Sequence, residues 1–377
     1  MRVYLDNNAT APIRPEVVCV MAESMKEVGN ASSIHNAGRQ ARKKIEEARE
    51  QVADFVNAEA RQVVFTSGAT EANNMILKGY NNATTFVSAI EHPAVMQANP
   101  EAQLIPVTKN GRLDLEAMED MLADLSENAL VSVMYVNNET GVIQPLDEVS
   151  ERAKKYGAIV HSDAVQAAGR LPLDFPELDI DYMSLSGHKF GGPQGVGALI
   201  FRNGLTPPPL LQGGGQERRA RAGTENIAGI LGFAEACRLA REHLEDFQNL
   251  CELRDMMEKE LKKMTPQIIV YGQHAPRVSN TSCIGFPGVP AETLLMNLDL
   301  GGIAVSSGSA CSSGVVKNSP VIRAMGAGDD EAGSTIRISM SWQTQKKDID
   351  HFLEIWSKIN NRLQEKLKAK TSEEYNA

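Results

Sequence analysis

Short hydrophobic runs alternate with amphipathic stretches through the first two thirds of the chain. The stretch QARKKIEEAREQVADFVNA places Ile45, Ala48, Val52 and Phe55 on one face, which predicts an amphipathic helix. Strand-like runs occur at QVVF, TTFVSAI, ALVSVMYV, AIVHSDAV, DYMSLS and GALIF. Between two of them, PLDEVSERAKKYG predicts a helix that ends at Gly157. This alternation predicts an α/β fold with a mainly parallel sheet covered by helices on both faces.

The pattern changes after the run TPPPLLQGGGQ. A long helical stretch is predicted from about Asn226 to Met264, followed by strand-like runs at VSNTSCIGF and STIRISM. Helices and a loop rich in Gly and Ser separate these two runs, which is typical of a smaller α+β domain. We therefore predict a large domain over residues 14–250 and a small domain formed by residues 1–13 and 251–377.

Composition and charge restrict the class of protein. The formal net charge of −10 argues against general attraction to nucleic acid or to an anionic membrane surface. The start of the chain, MRVYLDNNAT, lacks the apolar run of a signal peptide, and apolar strings such as ALVSVMYV are too short to span a bilayer. We expect a cytoplasmic protein that binds neither nucleic acid nor a membrane.

The cysteines give no sign of a metal site or a disulfide framework, because their number is odd and no pair has C-x-x-C spacing. Four of them lie in apolar or helical contexts and are expected to be buried or incidental thiols: Cys19, Cys237, Cys251 and Cys283. Cys311 differs, because its Ser and Gly neighbours in SSGSACSSG are typical of a surface loop. It is either a nucleophile or an incidental exposed thiol.

Lys189 lies in an unusual place for a lysine, within the stretch SLSGHKFGGPQGVG. One strand-like run leads into this stretch and another leaves it. Open α/β sheets bind ligands at the carboxyl ends of their strands, so Lys189 is expected at a binding site. It can act there as a positive charge for an anionic ligand or as an amine that forms a Schiff base.

Three further groups follow strand-like runs. The turn in TSGATEANN opens into a helix whose first N–H groups, with the Thr70 hydroxyl, can hold a phosphate. Asp163 at a strand end is costly unless it is paired, for example with a protonated pyridine nitrogen, and Gln166 can reach a neighbouring phenolic oxygen. His92 can stack on a flat cofactor and move protons. Each group alone is more simply a helix cap or a turn residue.

Together the four features are harder to explain as separate structural residues. A phosphate cup, a histidine, a carboxylate and an amine occur in this order, each at a strand end. Pyridoxal 5′-phosphate needs this combination, because its aldehyde binds a lysine and its ring nitrogen must stay protonated to act as an electron sink. The sequence therefore predicts this cofactor, bound through a Schiff base to Lys189.

The chain also resembles a known family, through motifs that occur in order over nearly its whole length: YLDNNAT, SSIHNAGRQAR, TSGATEANN, EHPAV, NNETG, SDAVQAAG, SGHKFGGPQGVG, GGGQERRARAGTEN, SSGSACSSG and STIRISM. These motifs are similar to those of cysteine desulfurases of the NifS/IscS type, which are class V, fold-type I pyridoxal-phosphate enzymes. The resemblance implies conversion of L-cysteine to L-alanine, with the sulfur carried by Cys311 as a persulfide. The small domain would then carry the catalytic cysteine loop.

The resemblance also assigns roles to matching positions. Cys311 would be the nucleophile, while Lys189 and His92 would move protons. Asn138 and Arg337 would bind the substrate, with Arg337 holding its carboxylate bidentately. The cofactor would be bound by Ala69, Thr70, His92, Asp163, Gln166, Ser186, His188 and Lys189, with Thr224 reaching the phosphate of the partner subunit. No metal is implied. The implied partners are a second copy of the chain in an obligate homodimer and sulfur acceptors such as an iron–sulfur scaffold.

The sequence departs from the family pattern at Ala11, Ala31 and Gln194, where threonine, proline and lysine are usual, and none of these changes removes a catalytic group. Other readings remain open at this point. The chain can be a selenocysteine lyase or an aminotransferase of the same class, or a regulatory platform with residual cofactor binding. Cys311 argues against an aminotransferase, and the intact Lys189 and Arg337 argue against a platform.

Overall fold

The computed structural model describes residues 2–125, 128–308 and 318–375, with side chains described as far as residue 363. The strands are β1 (Val3–Tyr4), β2 (Val63–Thr66), β3 (Thr84–Ser88), β4 (Gln103–Ile105), β5 (Ala129–Ser132), β6 (Ile159–Asp163), β7 (Tyr182–Ser186), β8 (Gly197–Phe201), β9 (Ile269–Tyr271), β10 (Thr281–Gly285), β11 (Ile303–Ala304), β12 (Ser306–Ser307) and β13 (Thr335–Ser339). The α-helices are α1 (Pro15–Met25), α2 (Asn36–Phe55), α3 (Ala69–Gly79), α4 (Pro93–Met96), α5 (Leu115–Ala123), α6 (Leu146–Lys155), α7 (Phe175–Leu178), α8 (Ile227–Glu242), α9 (Leu244–Gln248), α10 (Leu250–Met264), α11 (Ala291–Leu300), α12 (Pro320–Ala324), α13 (Asp329–Ala332) and α14 (Lys346–Tyr375).

A seven-stranded sheet forms the larger part of the fold, in the order β2-β8-β7-β6-β5-β3-β4. Strands β4, β3, β5, β6 and β7 pair in parallel, while β8 is antiparallel to both of its neighbours, β7 and β2. Since β8 is antiparallel to both β7 and β2, those two strands run in the same direction. The carboxyl ends of β2, β3, β5, β6 and β7 therefore lie at one edge of the sheet, where the ligand site was expected.

Hydrophobic side chains cover both faces of this sheet, as the sequence predicted. Successive residues of a strand point to opposite faces. On β2, Val63 and Phe65 pack in one buried cluster with Ile45 and Val52 of α2, while Val64 packs in another with residues of α3 such as Met75. The sheet is therefore enclosed between layers of helices, which leaves its strand ends as the place for a site.

A second, antiparallel sheet has the order β12-β13-β10-β9 and packs with α10, α11 and α14. The first residues of the chain join this part, because β1 pairs in parallel with β11 and Leu5 is buried in the same cluster as Trp356. This arrangement is compatible with a small domain that combines both ends of the chain, although the boundaries at 13/14 and 250/251 stay predictions.

The structure corrects the long helix predicted from about Asn226 to Met264. That stretch forms three helices, α8, α9 and α10, with breaks at His243 and Asn249. The break has a packing reason, because Phe233 of α8 is buried in the cluster around the large sheet and Met257 of α10 is buried beside the second sheet. Gly157 does end α6, in the left-handed conformation with φ of 71°.

Some strands also differ from the sequence patterns. Within the run ALVSVMYV only Ala129–Ser132 forms a strand, β5, and five short strands were not predicted: β1, β4, β9, β11 and β12. Within the described part of the chain, no helix is both long and apolar enough to cross a membrane.

Candidate active site

A cavity of about 510 Å³ lies at the carboxyl edge of the large sheet. It collects residues from the turns after β2, β3, β6 and β7, together with residues from the first turn of the chain and from β13. Most of the residues predicted from the sequence line it: Ala69, Thr70, His92, Asn138, Asp163, Gln166, Ser186, His188, Lys189 and Arg337. Thr224 does not line it and is exposed, and Cys311 lies outside the described residues.

Lys189 ends the short 3-10 turn that follows β7, and its Nζ lies against backbone carbonyls. It donates to the carbonyl oxygens of Asn8 at 2.8 Å and Ala9 at 2.9 Å. Burial, together with the nearby positive charges of Arg337 and Arg170, lowers the pKa of Lys189 to about 8. A lowered pKa increases the neutral fraction of the amine, which is the nucleophilic form.

Asp163 ends β6 and is buried at the floor of the cavity. Asn73 Nδ2 donates to its Oδ2 at 2.7 Å, and the backbone N–H of Val165 donates to its Oδ1 at 3.0 Å. These two donors fix the carboxylate and leave it further acceptor capacity. Asp163 can therefore accept a hydrogen bond from a protonated ring nitrogen.

The phosphate cup predicted from the sequence would lie at the start of α3. Gly68 precedes the helix with φ of 147°, a conformation that favours glycine. A Cβ on Gly197 of β8 would lie 2.3 Å from the carbonyl oxygen of Leu185 and 2.9 Å from Gly68 Cα, so the backbones approach closely here. The unpaired N–H groups at the start of the helix, with Thr70 and Ser186 beside them, offer donors to an anion.

The two histidines of the cavity are held by hydrogen bonds. His92 caps α4, since its Nδ1 accepts from the N–H of Ala94 at 3.1 Å, and burial is the largest cause that lowers its pKa. The Nδ1 of His188 lies 3.2 Å from Thr10 Oγ1. Burial, with the charge of Lys189, lowers the pKa of His188 to about 4. The lowered pKa favours the neutral form of both rings.

Arg337 on β13 brings a positive charge from the second sheet into the cavity. Its Nη1 donates to the carbonyl oxygen of Asn138 at 3.1 Å, and its Nη2 donates to Asp6 Oδ1 at 2.7 Å. A guanidinium has five N–H donors, so donors remain for a carboxylate ligand. The ion pair with Asp6 was not predicted from the sequence.

Asn8 and Asn73 are the other site residues that sequence reasoning missed. The Asn8 carbonyl oxygen accepts from Lys189 and from Gln166 Nε2, and its Nδ2 donates to the Asn138 carbonyl oxygen at 3.2 Å. Both asparagines lie inside motifs that carry the family resemblance, YLDNNAT and TSGATEANN. Their location in these motifs was the only sign of a role in the site, because no chemical pattern in the sequence distinguished them from turn residues.

The residues of the cavity fit pyridoxal 5′-phosphate. The Oε1 of Gln166 is buried and has no hydrogen-bond partner among the residues that the structure describes, so a polar group on a bound ring would satisfy it. The amine, the carboxylate and the anion cup meet in one cavity, in the arrangement that an aldehyde, a ring nitrogen and a phosphate need.

Comparison with known proteins agrees with this chemistry. Residues 3–352 match the sequence model of the aminotransferase class-V family. The cysteine desulfurase of Sinorhizobium fredii is 42% identical over 379 residues, covering 96% of this chain and 97% of the relative. The cysteine desulfurase IscS of Dictyoglomus turgidum is 39% identical, covering 96% and 95%.

Solved structures of related proteins are also similar to this chain. A NifS-like protein from Rickettsia africae superposes with a TM-score of 0.90 at 37% identity, covering 96% of this chain and all of that chain. SspA, solved in complex with cysteine, superposes with a TM-score of 0.77 at 27% identity, covering 90% and 98%. The chain therefore belongs to the aminotransferase class-V family and, within it, to the pyridoxal-phosphate-dependent cysteine desulfurases.

Proposed function

We propose that this enzyme takes sulfur from L-cysteine, releases L-alanine, and keeps the sulfur on Cys311 as a persulfide for transfer to acceptor proteins. The observation that carries the proposal is the network around Asn8. Its carbonyl oxygen accepts from Lys189 and Gln166, and its side chain reaches the Asn138 carbonyl oxygen, to which Arg337 also donates. This network holds three groups in fixed positions relative to one another: Lys189 for the cofactor aldehyde, Gln166 for the cofactor ring and Arg337 for the substrate carboxylate.

When bound, pyridoxal 5′-phosphate supplies the electron sink for negative charge that develops on the substrate carbon next to the amino group. Asp163 keeps the proton on the ring nitrogen, and Asn73 and Val165 hold Asp163 in place. Arg337 binds the substrate carboxylate, beside Asn138. Lys189 moves the proton at the substrate carbon, because its lowered pKa lets the amine act as a base near neutral pH.

The sulfur-transfer step uses Cys311. Its thiolate attacks the sulfur of the substrate, an S–S bond forms, and the C–S bond breaks. The electron pair of the broken bond stays on the three-carbon skeleton, which takes up a proton and leaves as alanine. The reaction needs no external oxidant, because the two-electron oxidation of the sulfur is balanced by the two-electron reduction of the carbon atom to which it was bonded. SspA, which was solved in complex with cysteine, supports this choice of substrate.

We further propose that the enzyme is a homodimer in the cytoplasm and that its acceptors include an iron–sulfur scaffold. Thr224 is exposed, which is compatible with its reaching the phosphate cup of a partner subunit. Arg221, three positions earlier, binds Glu71 at 2.9 Å in the first turn of α3. All the described cysteines are free thiols, as expected in a reducing compartment.

The decisive test is alanine production from L-cysteine by Cys311→Ser under reducing conditions. The variant should still change the cofactor absorbance on adding L-cysteine, because the early proton transfers need no thiol. It should form no persulfide and little alanine. Cys19→Ser is the matched control, because Cys19 is an exposed free thiol on α1, and it should react like the wild type. Alanine formation at the wild-type rate by Cys311→Ser would favour a simple lyase.

A further inference from the structure

Glu139 is a buried carboxyl group to which the mechanism gives no role. It follows Asn138 in the NNETG motif, and its side chain is 3% exposed. The turn around it is fixed by Asn137, whose Oδ1 accepts from the N–H groups of Glu139 at 3.0 Å and Thr140 at 2.9 Å. Burying a carboxyl group costs free energy unless the group is hydrogen-bonded or paired.

The Glu139 side chain contacts two residues far away in sequence, through the same oxygen. Ser319 Oγ donates to Glu139 Oε2, while accepting from the N–H of Ile322 as the cap of α12. A Cβ on Gly308 would lie 2.1 Å from Glu139 Oε2, so the carboxyl oxygen packs directly on the Gly308 backbone. Both contacts are buried. Glu139 therefore joins residues 308 and 319, the residues that enclose the stretch with Cys311.

The charged and titratable groups that face Glu139 are Arg337 on β13 and Cys283 on β10. Burial raises the pKa of Glu139 to about 7, against the smaller lowering effects of the Ser319 hydrogen bond and the Arg337 charge. Gly308 and Arg337 both line the active-site cavity. Glu139 thus lies between the residue proposed to bind the substrate carboxylate and the two ends of the Cys311 stretch.

We propose that Glu139 is a positioning residue for sulfur transfer, which fixes Gly308 and Ser319 and thereby sets the approach of Cys311 to the substrate sulfur. This inference rests on the proposed role of Cys311. Nucleophilic attack requires close alignment, and a small misplacement of a reacting group costs a large factor in rate. Removing the carboxyl group should therefore slow the thiol-dependent step and spare the earlier ones.

The experiment separates these two steps in single-turnover reactions of the cofactor-loaded enzyme with L-cysteine. Absorbance of the cofactor reports substrate binding, and trapping of the persulfide reports sulfur transfer. Glu139→Ala should bind L-cysteine normally but form persulfide about tenfold to a hundredfold more slowly. Glu139→Gln should recover most of the rate, because its amide oxygen can still accept from Ser319. An equally slow Glu139→Gln would overturn the proposal.

Ser319→Ala provides a second variant that leaves Glu139 in place, so that misfolding of Glu139→Ala does not end the test. It should also slow persulfide formation without changing substrate binding. Its control is Ser334→Ala, which removes another buried hydroxyl, bonded to the Asp330 carbonyl oxygen, and should react like the wild type.

Failure of the proposed role of Glu139 and failure of the desulfurase mechanism would give different results. Persulfide formation at the wild-type rate in both Ser319→Ala and Glu139→Ala would refute the role of Glu139, while leaving the desulfurase mechanism intact. Failure of the mechanism itself would appear instead as alanine formation by Cys311→Ser. Equal loss of substrate binding and persulfide formation in Glu139→Ala would show a structural role alone and would also overturn the proposal.

Discussion

Asn8 connects the two sheets within the active site through its individual polar atoms. Its backbone N–H donates to Ser339 Oγ at 2.9 Å and its Nδ2 donates to Thr281 Oγ1 at 3.0 Å, on the side of the second sheet. Its carbonyl oxygen accepts from Lys189 and Gln166 on the side of the large sheet. Buried polar groups of this kind are stable only when they are paired, so Asn8 fixes the geometry of its neighbours.

The lowered pKa of Lys189 predicts how the apoenzyme takes up its cofactor. The neutral amine is the form that attacks the aldehyde, so uptake should rise with pH and level off above about 8 instead of near the ordinary value of 10.5. The measurement is the rate of the cofactor absorbance change after mixing with apoenzyme, across neutral and alkaline pH. Lys189→Ala should not attach the cofactor covalently.

A matched control and a direct label complete this prediction. Lys78→Ala changes an exposed lysine in the last turn of α3 and should leave the uptake profile unchanged. Borohydride reduction and peptide mapping of the wild type should locate the cofactor on Lys189. A label on another lysine, or an uptake midpoint near 10.5, would contradict the assignment.

At the scale of elements, a buried ion pair joins α2 to the turn at Gln216–Arg219. Arg49 of α2 donates to both carboxylate oxygens of Glu217, at 2.6 and 2.9 Å, and to the Val63 carbonyl oxygen of β2 at 3.0 Å. Glu217, Arg218 and Arg219 all have positive φ, from 45° to 71°. Residues other than glycine rarely adopt a positive φ, and the ion pair helps to hold the turn in this conformation, together with the hydrogen bond from the Phe65 N–H to Glu217 Oε2 at 2.9 Å.

Replacing Glu217 should therefore have a large effect on stability. Glu217→Gln removes the buried counter-charge of Arg49, leaves only the half-exposed Glu46 beside it, and should lower the free energy of unfolding by about 3 kcal/mol. Glu46→Gln is the control, because Glu46 also binds Arg49 but is half exposed, and it should cost about 0.5 kcal/mol or less. Denaturant unfolding of the two variants measures both values, and equal effects would show that burial does not strengthen this pair.

At the scale of the whole molecule, the active site is assembled from parts of the chain that are distant in sequence. The first strand pairs with β11, which brings Asp6 and Asn8 to the cavity beside Arg337. Thr224 does not line this cavity and is exposed to solvent. If Thr224 reaches the phosphate of a partner subunit, as proposed above, a complete site needs two subunits.

Mixed dimers test this requirement. A Lys189→Ala subunit combined with a Thr224→Ala subunit should form one site with both defects and one site with neither. Activity should therefore recover to roughly half of the wild-type value per mixed dimer, because only one of the two sites is intact. Two differently tagged subunits, purified in tandem, allow the measurement. No recovery in dimers that form normally would mean that Thr224 acts within its own subunit.

The sequence by itself determined six of the seven strands of the large sheet and most of the residues at its carboxyl edge. Strand patterns are local, and the carboxyl ends of parallel strands meet at one edge whatever their separation in sequence. The structure accordingly brings His92, Asp163 and Lys189 into one cavity, as their positions after strands predicted. The prediction for Cys311 lies outside the described residues, and the roles of the individual residues stay predictions.

The tertiary structure alone decided what surrounds those residues. The ion pair of Arg337 with Asp6 spans 331 positions, and the contact of Glu139 with Ser319 spans 180. The breaks in the helical stretch from about Asn226 to Met264 likewise follow from packing against two different sheets. Local periodicity cannot encode such contacts, because they depend on how distant elements meet. The pKa values of Lys189 and Glu139 depend on the same contacts, since burial is the largest cause of both shifts.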